Sequence, residues 1–127
     1  MQNLLIIGLG GFVGAILRYS VAGFIQDWSR SVSFPYGTIT VNLLGCFLIG
    51  ALSQLVVSRG AISPEYRSLI FLGFLGSFTT FSTFGNETLN LLLDGEHLLS
   101  FTNVLIHIIL GLASVWLGRV IVSALWS

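Results

Sequence analysis

Residues 73–87 read Gly-Phe-Leu-Gly-Ser-Phe-Thr-Thr-Phe-Ser-Thr-Phe-Gly-Asn-Glu, placing seven Ser, Thr, Asn and Glu residues in fifteen positions of an otherwise apolar run. In hydrocarbon each of these groups needs a hydrogen-bonding partner, so a helix that only fills lipid would not carry them. The chemistry on offer is solvation: hydroxyls, an amide and any freed backbone groups can replace water around something polar that binds or passes. Glu87 is the one formal charge between Arg67 and Asp94, and Asn42 and His107 are further polar groups inside long apolar segments.

The elements that must position these groups are membrane helices. Of 127 residues, 54% are hydrophobic and 8% charged, which is too little charge to cover a water-facing surface. The net charge is zero and the five basic residues are scattered arginines, so the basic footprint of nucleic-acid binding is missing and that class is excluded. A lone cysteine, Cys46, rules out an internal disulfide and a multi-cysteine metal site. No nucleophile, base and orienting group stand in register, and His97 and His107 lie about three turns apart, so an enzyme is not expected.

Four spans follow from the apolar runs. The first, residues 4–25, holds 22 residues with Arg18 as its only charge; at the helical rise it reaches ~33 Å, enough for a hydrocarbon core of ~30 Å. Met1-Gln2-Asn3 has no basic n-region and no clear cleavage signal follows, so this run reads as a retained span. Gly10 and Gly14 form a G-x-x-x-G, with Gly8 and Gly11 beside them, which lets another helix approach closely. Residues 27–35 read as an interfacial loop with Trp28 at headgroup depth. The second span, residues 36–58, carries no formal charge, and Thr38, Asn42, Gly45, Ile49 and Ser53 share one face. Asn42 there is either interhelical glue or a donor to a permeating ion. After a second short loop at 59–67, Ser63-Pro64-Glu65 starts a third span, residues 65–93, and Asp94-Gly95 ends it. The fourth span, residues 98–125, aligns Asn103, His107, Gly111, Ser114 and Gly118 on one face. His107 is either a hydrogen-bonded packing residue or part of an ion path. The chain is read as one four-helix transmembrane domain.

On a continuous third helix, Thr79, Thr83, Asn86 and Asn90 fall within a sector of ~60° and Phe71, Phe74, Phe78, Phe81 and Phe84 cluster roughly opposite. One subunit cannot line a single path with both faces; two copies can bring the aromatic face of one to the polar face of the other. Gly73, Gly76, Ser77 and the Thr79-Thr80 pair also predict a helix break, since glycine and β-branched residues lower helix propensity and hydroxyls compete for backbone groups. Carbonyls exposed at Gly76 and Thr79 would suit a small hard cation such as sodium.

Gly37-Thr38-Ile39-Thr40-Val41-Asn42, followed by residues 73–84 and preceded by Gly14-Ala15-Ile16-Leu17-Arg18, resembles the Fluc (CrcB) family of bacterial fluoride channels. The resemblance runs the length of the chain. It implies an all-α membrane protein of four transmembrane helices with a broken third helix. It further implies an antiparallel, dual-topology homodimer in the bacterial inner membrane, with two fluoride pores and a structural sodium ion at the dimer centre. By motif position Phe81 and Phe84 look like the pore phenylalanines, Asn42 like the pore asparagine and Thr38 like the threonine one turn before it. Ser82 and Thr83 look like part of a polar track, Arg18 like the first-helix arginine, and Gly76 and Thr79 like the carbonyl donors to sodium. His107 joins them as an anion-pathway candidate on the fourth span. Two departures stand out: Ser77 replaces a usual second glycine, and Asn103, His107 and Gly111 stand where some relatives carry Tyr and Ser.

Physical chemistry agrees with that resemblance. A ring edge carries the positive part of the aromatic quadrupole, so Phe81 and Phe84 can favour an anion without the full charge that would trap it. Fluoride is strongly hydrated, so Asn42, Ser82 and Thr83 must replace its lost water. Arg59, Arg67 and Arg119 fall towards one membrane side and Arg30 and Arg18 towards the other, a bias weak enough to permit insertion both ways. The rival reading is a small dual-topology proton-coupled exporter using Glu87 as its membrane carboxylate. A scaffold subunit without transport is a third.

Overall fold

The computed structural model describes residues 2–60 and 62–126, without the side chains of Gln2 and Arg59. Met1, part of the N-terminal stretch read as lacking a basic n-region, and the Arg59 side chain counted in the charge bias lie outside these. All regular structure among the described residues is helical. Four helical segments are long and apolar enough to cross a membrane, Asn3–Ser29, Tyr36–Ser58, Pro64–Leu93 and His97–Leu125. The chain is an all-helical, multi-pass membrane protein.

The first segment is α1 (Gln2–Ser29), which runs a turn beyond the expected end at Ile25. Asp27 and Trp28 are therefore helical, not part of a loop. Gln26 explains the extension, because it satisfies the chain that leaves the helix. Its Nε2 donates to the carbonyls of Ser31 at 2.7 Å and Phe34 at 3.1 Å, and its Oε1 accepts from the Gly37 N–H at 3.0 Å. Arg30 takes the left-handed conformation (φ 54°) that ends the helix. The second segment, α2 (Tyr36–Arg59), starts directly after Pro35 and runs through the Arg59 position at which a loop was expected to begin.

The third crossing is in pieces. It consists of α3 (Pro64–Arg67), a π-helical stretch Ser68–Leu75, α4 (Gly76–Phe78) and α5 (Phe81–Leu93). Ser63 and Pro64 start it as the sequence indicates, and a left-handed Gly95 (φ 80°) ends it, with the Glu96 N–H closing back on the Leu91 carbonyl at 2.8 Å. The fourth crossing is α6 (His97–Leu105), a second π-helical turn Ile106–Leu110 and α7 (Gly111–Leu125). Such π turns interrupt the regular ladder and recur near functional residues; here one precedes the helix break and the other contains His107.

Packing is pairwise. α1 lies against the first half of the third crossing and also against α2, α2 against α7, and α5 against α6. Small residues set these approaches. A Cβ at Gly14 would meet the Phe74 carbonyl and the Ser77 hydroxyl, one at Gly10 the Leu69 carbonyl, and one at Gly118 the Phe47 carbonyl of α2. The G-x-x-x-G is thus a contact surface, whereas a Cβ at Gly8 or Gly11 would meet nothing within 4 Å. Gly14→Val is expected to wedge α1 off the third crossing at ~1–3 kcal/mol of overpacking. A thermal scan in detergent should show a lowered midpoint for Gly14→Val and none for Gly11→Ala. A small apolar cluster of Phe34, Ile39 and Leu91, flanked by Leu43, Leu99 and Ile106, seals the end where α2 starts and α5 finishes. Most other large apolar side chains face outward, as lipid requires.

Candidate functional site

The break in the third crossing is two residues long. Thr79 (φ −90°, ψ 160°) and Thr80 (φ −152°, ψ 119°) are extended, so no helical hydrogen bond can run through them. Hydroxyls close off the first half: Ser77 Oγ donates to the carbonyls of Gly73 at 2.8 Å and Phe74 at 3.1 Å, and Thr79 Oγ1 donates to the Leu75 carbonyl at 2.9 Å. Thr80 caps the second half by accepting the Thr83 N–H on its Oγ1 at 3.2 Å, the capping role in which Thr is favoured. The expected break is present, at its C-terminal edge; Gly73 and Gly76 themselves are helical.

Asn42 of α2 holds the break open. Its Oδ1 accepts the Thr80 N–H at 2.8 Å and its Nδ2 donates to the Thr80 carbonyl at 3.0 Å, so one amide satisfies both backbone groups of an extended residue. In an unbroken helix the Thr80 N–H would reach the Gly76 carbonyl and the Thr83 N–H the Thr79 carbonyl. Both donors are taken by side chains instead, which deprives Gly76 and Thr79 carbonyls of the partners a continuous helix would give them. Gly45, one turn along α2, lies against the Thr79 methyl, where any Cβ would collide.

Asn42 Nδ2 also lies 3.1 Å from His107 Nε2, and His107 Nδ1 lies 2.9 Å from the Asn103 carbonyl. The imidazole stacks obliquely on Phe84, with centroids 4.3 Å apart and planes at 40°. Phe84 in turn meets Phe81 at 5.4 Å and 53°. Asn42, Phe81, Phe84 and His107 line one predominantly apolar cavity of about 810 Å³, together with Gly76 and Thr79.

Thr38 and Glu87 sit elsewhere. Thr38 Oγ1 donates to Glu87 Oε1 at 2.7 Å, and the pair lines a more polar cavity of about 610 Å³ with Gln26, Asn90, Asp94 and Glu96. Glu87 Oε2 is buried without a hydrogen-bond partner. Thr38 is one turn from Asn42 on α2 and Glu87 is one turn from Phe84 on α5, so the same two helices wall both cavities. Ser82 and Thr83 are exposed and cluster around Thr80, 3.4 Å and 2.9 Å from its Oγ1, and neither lines either of these two cavities. Arg18 is half-buried on α1, lines neither cavity, and makes no hydrogen bond or ion pair among the described residues.

The aromatic stripe read from a continuous helix is divided. Phe74 and Phe78 stack on each other at 5.7 Å, and Phe78 is 5% exposed, whereas Phe81, beyond the break, is 81% exposed. Two extended residues rotate α5 relative to α4, so no single face carries all five rings.

Sequence reasoning passed over Thr88, which ties α5 to α6. Its Oγ1 donates to the Phe84 carbonyl at 2.7 Å and accepts from Asn103 Nδ2 at 2.9 Å, while its own carbonyl accepts from Ser100 Oγ at 2.9 Å. Asn103 is fully buried and its Oδ1 has no partner. Gln26 was also missed; an uncharged residue at a helix end carries no periodic signal. Thr88 had one available signal, its place one turn after Phe84 and directly after the polar run.

Comparison with known proteins agrees with this architecture. Residues 5–119 match the family described as CrcB-like protein, Camphor Resistance (CrcB). A protein of Citrifermentans bemidjiense named fluoride-specific ion channel FluC is 44% identical over 125 residues, covering 98% of this chain and 100% of the relative. Proteins of the same name are 46% identical over 122 residues in Methanococcus aeolicus, covering 94% of each chain, and 47% identical over 122 residues in Shewanella baltica, covering 96% and 97%.

Proposed function

Because the chain belongs to the CrcB family, whose relatives bear the name fluoride-specific ion channel, we propose that it is a fluoride channel that lets fluoride leave the cell passively across the inner membrane. The observation that carries the reading is the Asn42-pinned break at Thr79 and Thr80, which sets Phe81 and Phe84 on the wall of a cavity beside an amide and an imidazole. An anion entering there meets ring edges, neutral N–H groups and the positive end of α5, all of which attract without trapping. A channel of this family is a transporter and not an enzyme.

The working unit is an antiparallel, dual-topology homodimer with two pores. Support comes from the 810 Å³ cavity, whose lining includes the exposed Phe81 and Leu89, and from the exposure of Ser82 and Thr83 beside it in sequence. A second copy lying head to tail would cover these groups and bring its own to them. Thr38 and Glu87 line the approach, with Asn42, Phe81, Phe84 and His107 further in. Ser82 and Thr83 complete a polar track across the dimer, and Arg18 attracts the anion from α1.

A structural sodium ion belongs at the dimer centre. The residues fit it: Gly76 and Thr79 carbonyls have lost their helical donors, and neutral oxygens are the ligands a hard cation takes. A second copy would double the donor set. Bound there, the ion would supply positive charge that neutralises the carbonyl dipoles at the break.

Purified protein in liposomes tests the function. Under a fluoride gradient, efflux is expected when fluoride is present and not when chloride replaces it. A sealed vesicle in both cases would remove the channel reading in favour of a scaffold. The exporter reading draws on the unpartnered Glu87 oxygen. If it were right, Glu87→Gln would abolish transport and leave Phe81 and Phe84 substitutions silent; the channel reading expects the reverse order of sensitivity.

A further inference from the structure

We propose that His107 is the positioning residue that aims the Asn42 amide, acting as a neutral imidazole with its proton on Nδ1, and that the Asn42–His107 bond is the one an incoming anion takes over. The proposal rests on the channel reading.

The assignment follows from which groups can donate. The Asn103 carbonyl can only accept, so the proton on the 2.9 Å contact belongs to His107 Nδ1. In a neutral ring Nε2 then carries a lone pair, and Asn42 Nδ2 at 3.1 Å must be its donor. The Asn42 amide cannot be reversed. The Thr80 N–H needs an oxygen and the Thr80 carbonyl needs an N–H, which sets Oδ1 and Nδ2 on their observed sides. Every hydrogen-bonding group of this set is thereby matched, and the second N–H of Asn42 is directed at Nε2.

The bonds of Asn42 are unequal in what breaking them would do. Those to Thr80 satisfy an extended backbone within the membrane, and losing them would leave orphaned groups there. The bond to His107 joins two side chains on the cavity wall. An anion that accepts from Asn42 Nδ2 needs only to displace Nε2, while Phe84 keeps the ring in place at 4.3 Å. Protonating Nε2 would change the site in kind. Two donors would face each other, the bond would break, and a cation would stand where fluoride passes. Such a site binds the anion and releases it slowly.

Few other ionisable groups come into play. Cys46 of α2 lines the same cavity. On α5, Glu87 is engaged by Thr38 at the other cavity. On α6, His97 is exposed ten positions before the ring, and on α7 Arg119 is exposed two turns beyond Gly111.

Two measurements on the full-length reconstituted protein test this. In the first, the chain's two histidines are reduced to His107 by His97→Gln, and the ¹⁵N-histidine spectrum is recorded with and without sodium fluoride. The Nδ1–H tautomer is expected, with an Nε2 resonance that moves on adding fluoride and not on adding chloride; the opposite tautomer, or an Nε2 indifferent to fluoride, overturns the proposal. In the second, efflux is compared between about pH 8 and about pH 5, the range in which a histidine changes charge. The leak of neutral hydrogen fluoride is subtracted using empty vesicles. Wild-type efflux is expected to fall roughly tenfold on acidification, as a charged donor replaces a neutral acceptor. In His107→Gln the ratio of the two rates should approach one. A flat wild type, or an equal fall in the variant, overturns the proposal. If His107→Gln is inactive at both values, the spectrum decides alone. A wild type that conducts no fluoride at any pH removes the channel reading, while the tautomer remains readable.

Discussion

Vesicles carrying the Phe81→Ile, Phe84→Ile protein should release fluoride about a hundred times more slowly than wild type, at ~1.4 kcal/mol for each ring edge removed. Isoleucine keeps most of the apolar bulk, so the wall of the 810 Å³ cavity remains filled and the lipid-facing surface is unchanged. What disappears is the positive rim of each ring, along with the Phe84 face against which His107 stacks. The two substitutions should also be unequal in their effect on the fold. Phe81 is 81% exposed in the single chain, so changing it alone should leave the thermal midpoint of dispersed subunits almost unmoved. Phe84 supports the imidazole, and changing it alone should lower that midpoint. Wild-type efflux from the double variant would mean that fluoride does not pass these rings.

Asn42→Ala carries the second large effect, and here stability and conduction fall together. The substitution orphans the Thr80 N–H, the Thr80 carbonyl and His107 Nε2, each a buried or half-buried group at about 1–3 kcal/mol. A loss of several kcal/mol is large for a domain of this size. The thermal midpoint in detergent should drop steeply, and efflux should vanish. Asn42→Asp separates the two consequences. Its carboxylate can still accept the Thr80 N–H, so part of the fold is retained, but it offers no donor and adds a negative charge beside the anion path. Asn42→Asp is therefore expected to be better folded than Asn42→Ala and equally silent in the flux assay. An Asn42→Asp protein that conducts fluoride normally would take Asn42 out of the pathway.

The reason Asn42 matters so much is visible only in three dimensions, although its cost was legible beforehand. An amide within a chargeless 23-residue run needs a partner, and the face it shares with Thr38, Gly45 and Ile49 does meet the third crossing. Sequence alone could not say that the partner is the backbone of Thr80, 38 positions away, or that this one amide would satisfy both groups of that residue. Thr80 accordingly looked like one hydroxyl among several. The three bonds that Gln26 makes to Ser31, Phe34 and Gly37 were hidden for a similar reason: they bridge a loop whose course no periodicity describes.

What the amino-acid order determined by itself was everything carried by local physics. Run length and hydrophobicity marked the four crossings, since span length depends only on helical rise and hydrocarbon thickness. Glycine spacing marked the close contact of α1 at Gly10 and Gly14, and the glycine, serine and threonine content of residues 73–80 marked an interrupted helix. Tertiary structure decided where the interruption falls and what it does to the faces beyond it. A helical wheel assumes one unbroken axis; two extended residues end that axis, bury Phe78 and present Phe81 outward, because side-chain direction is inherited from the backbone on its own side of the break.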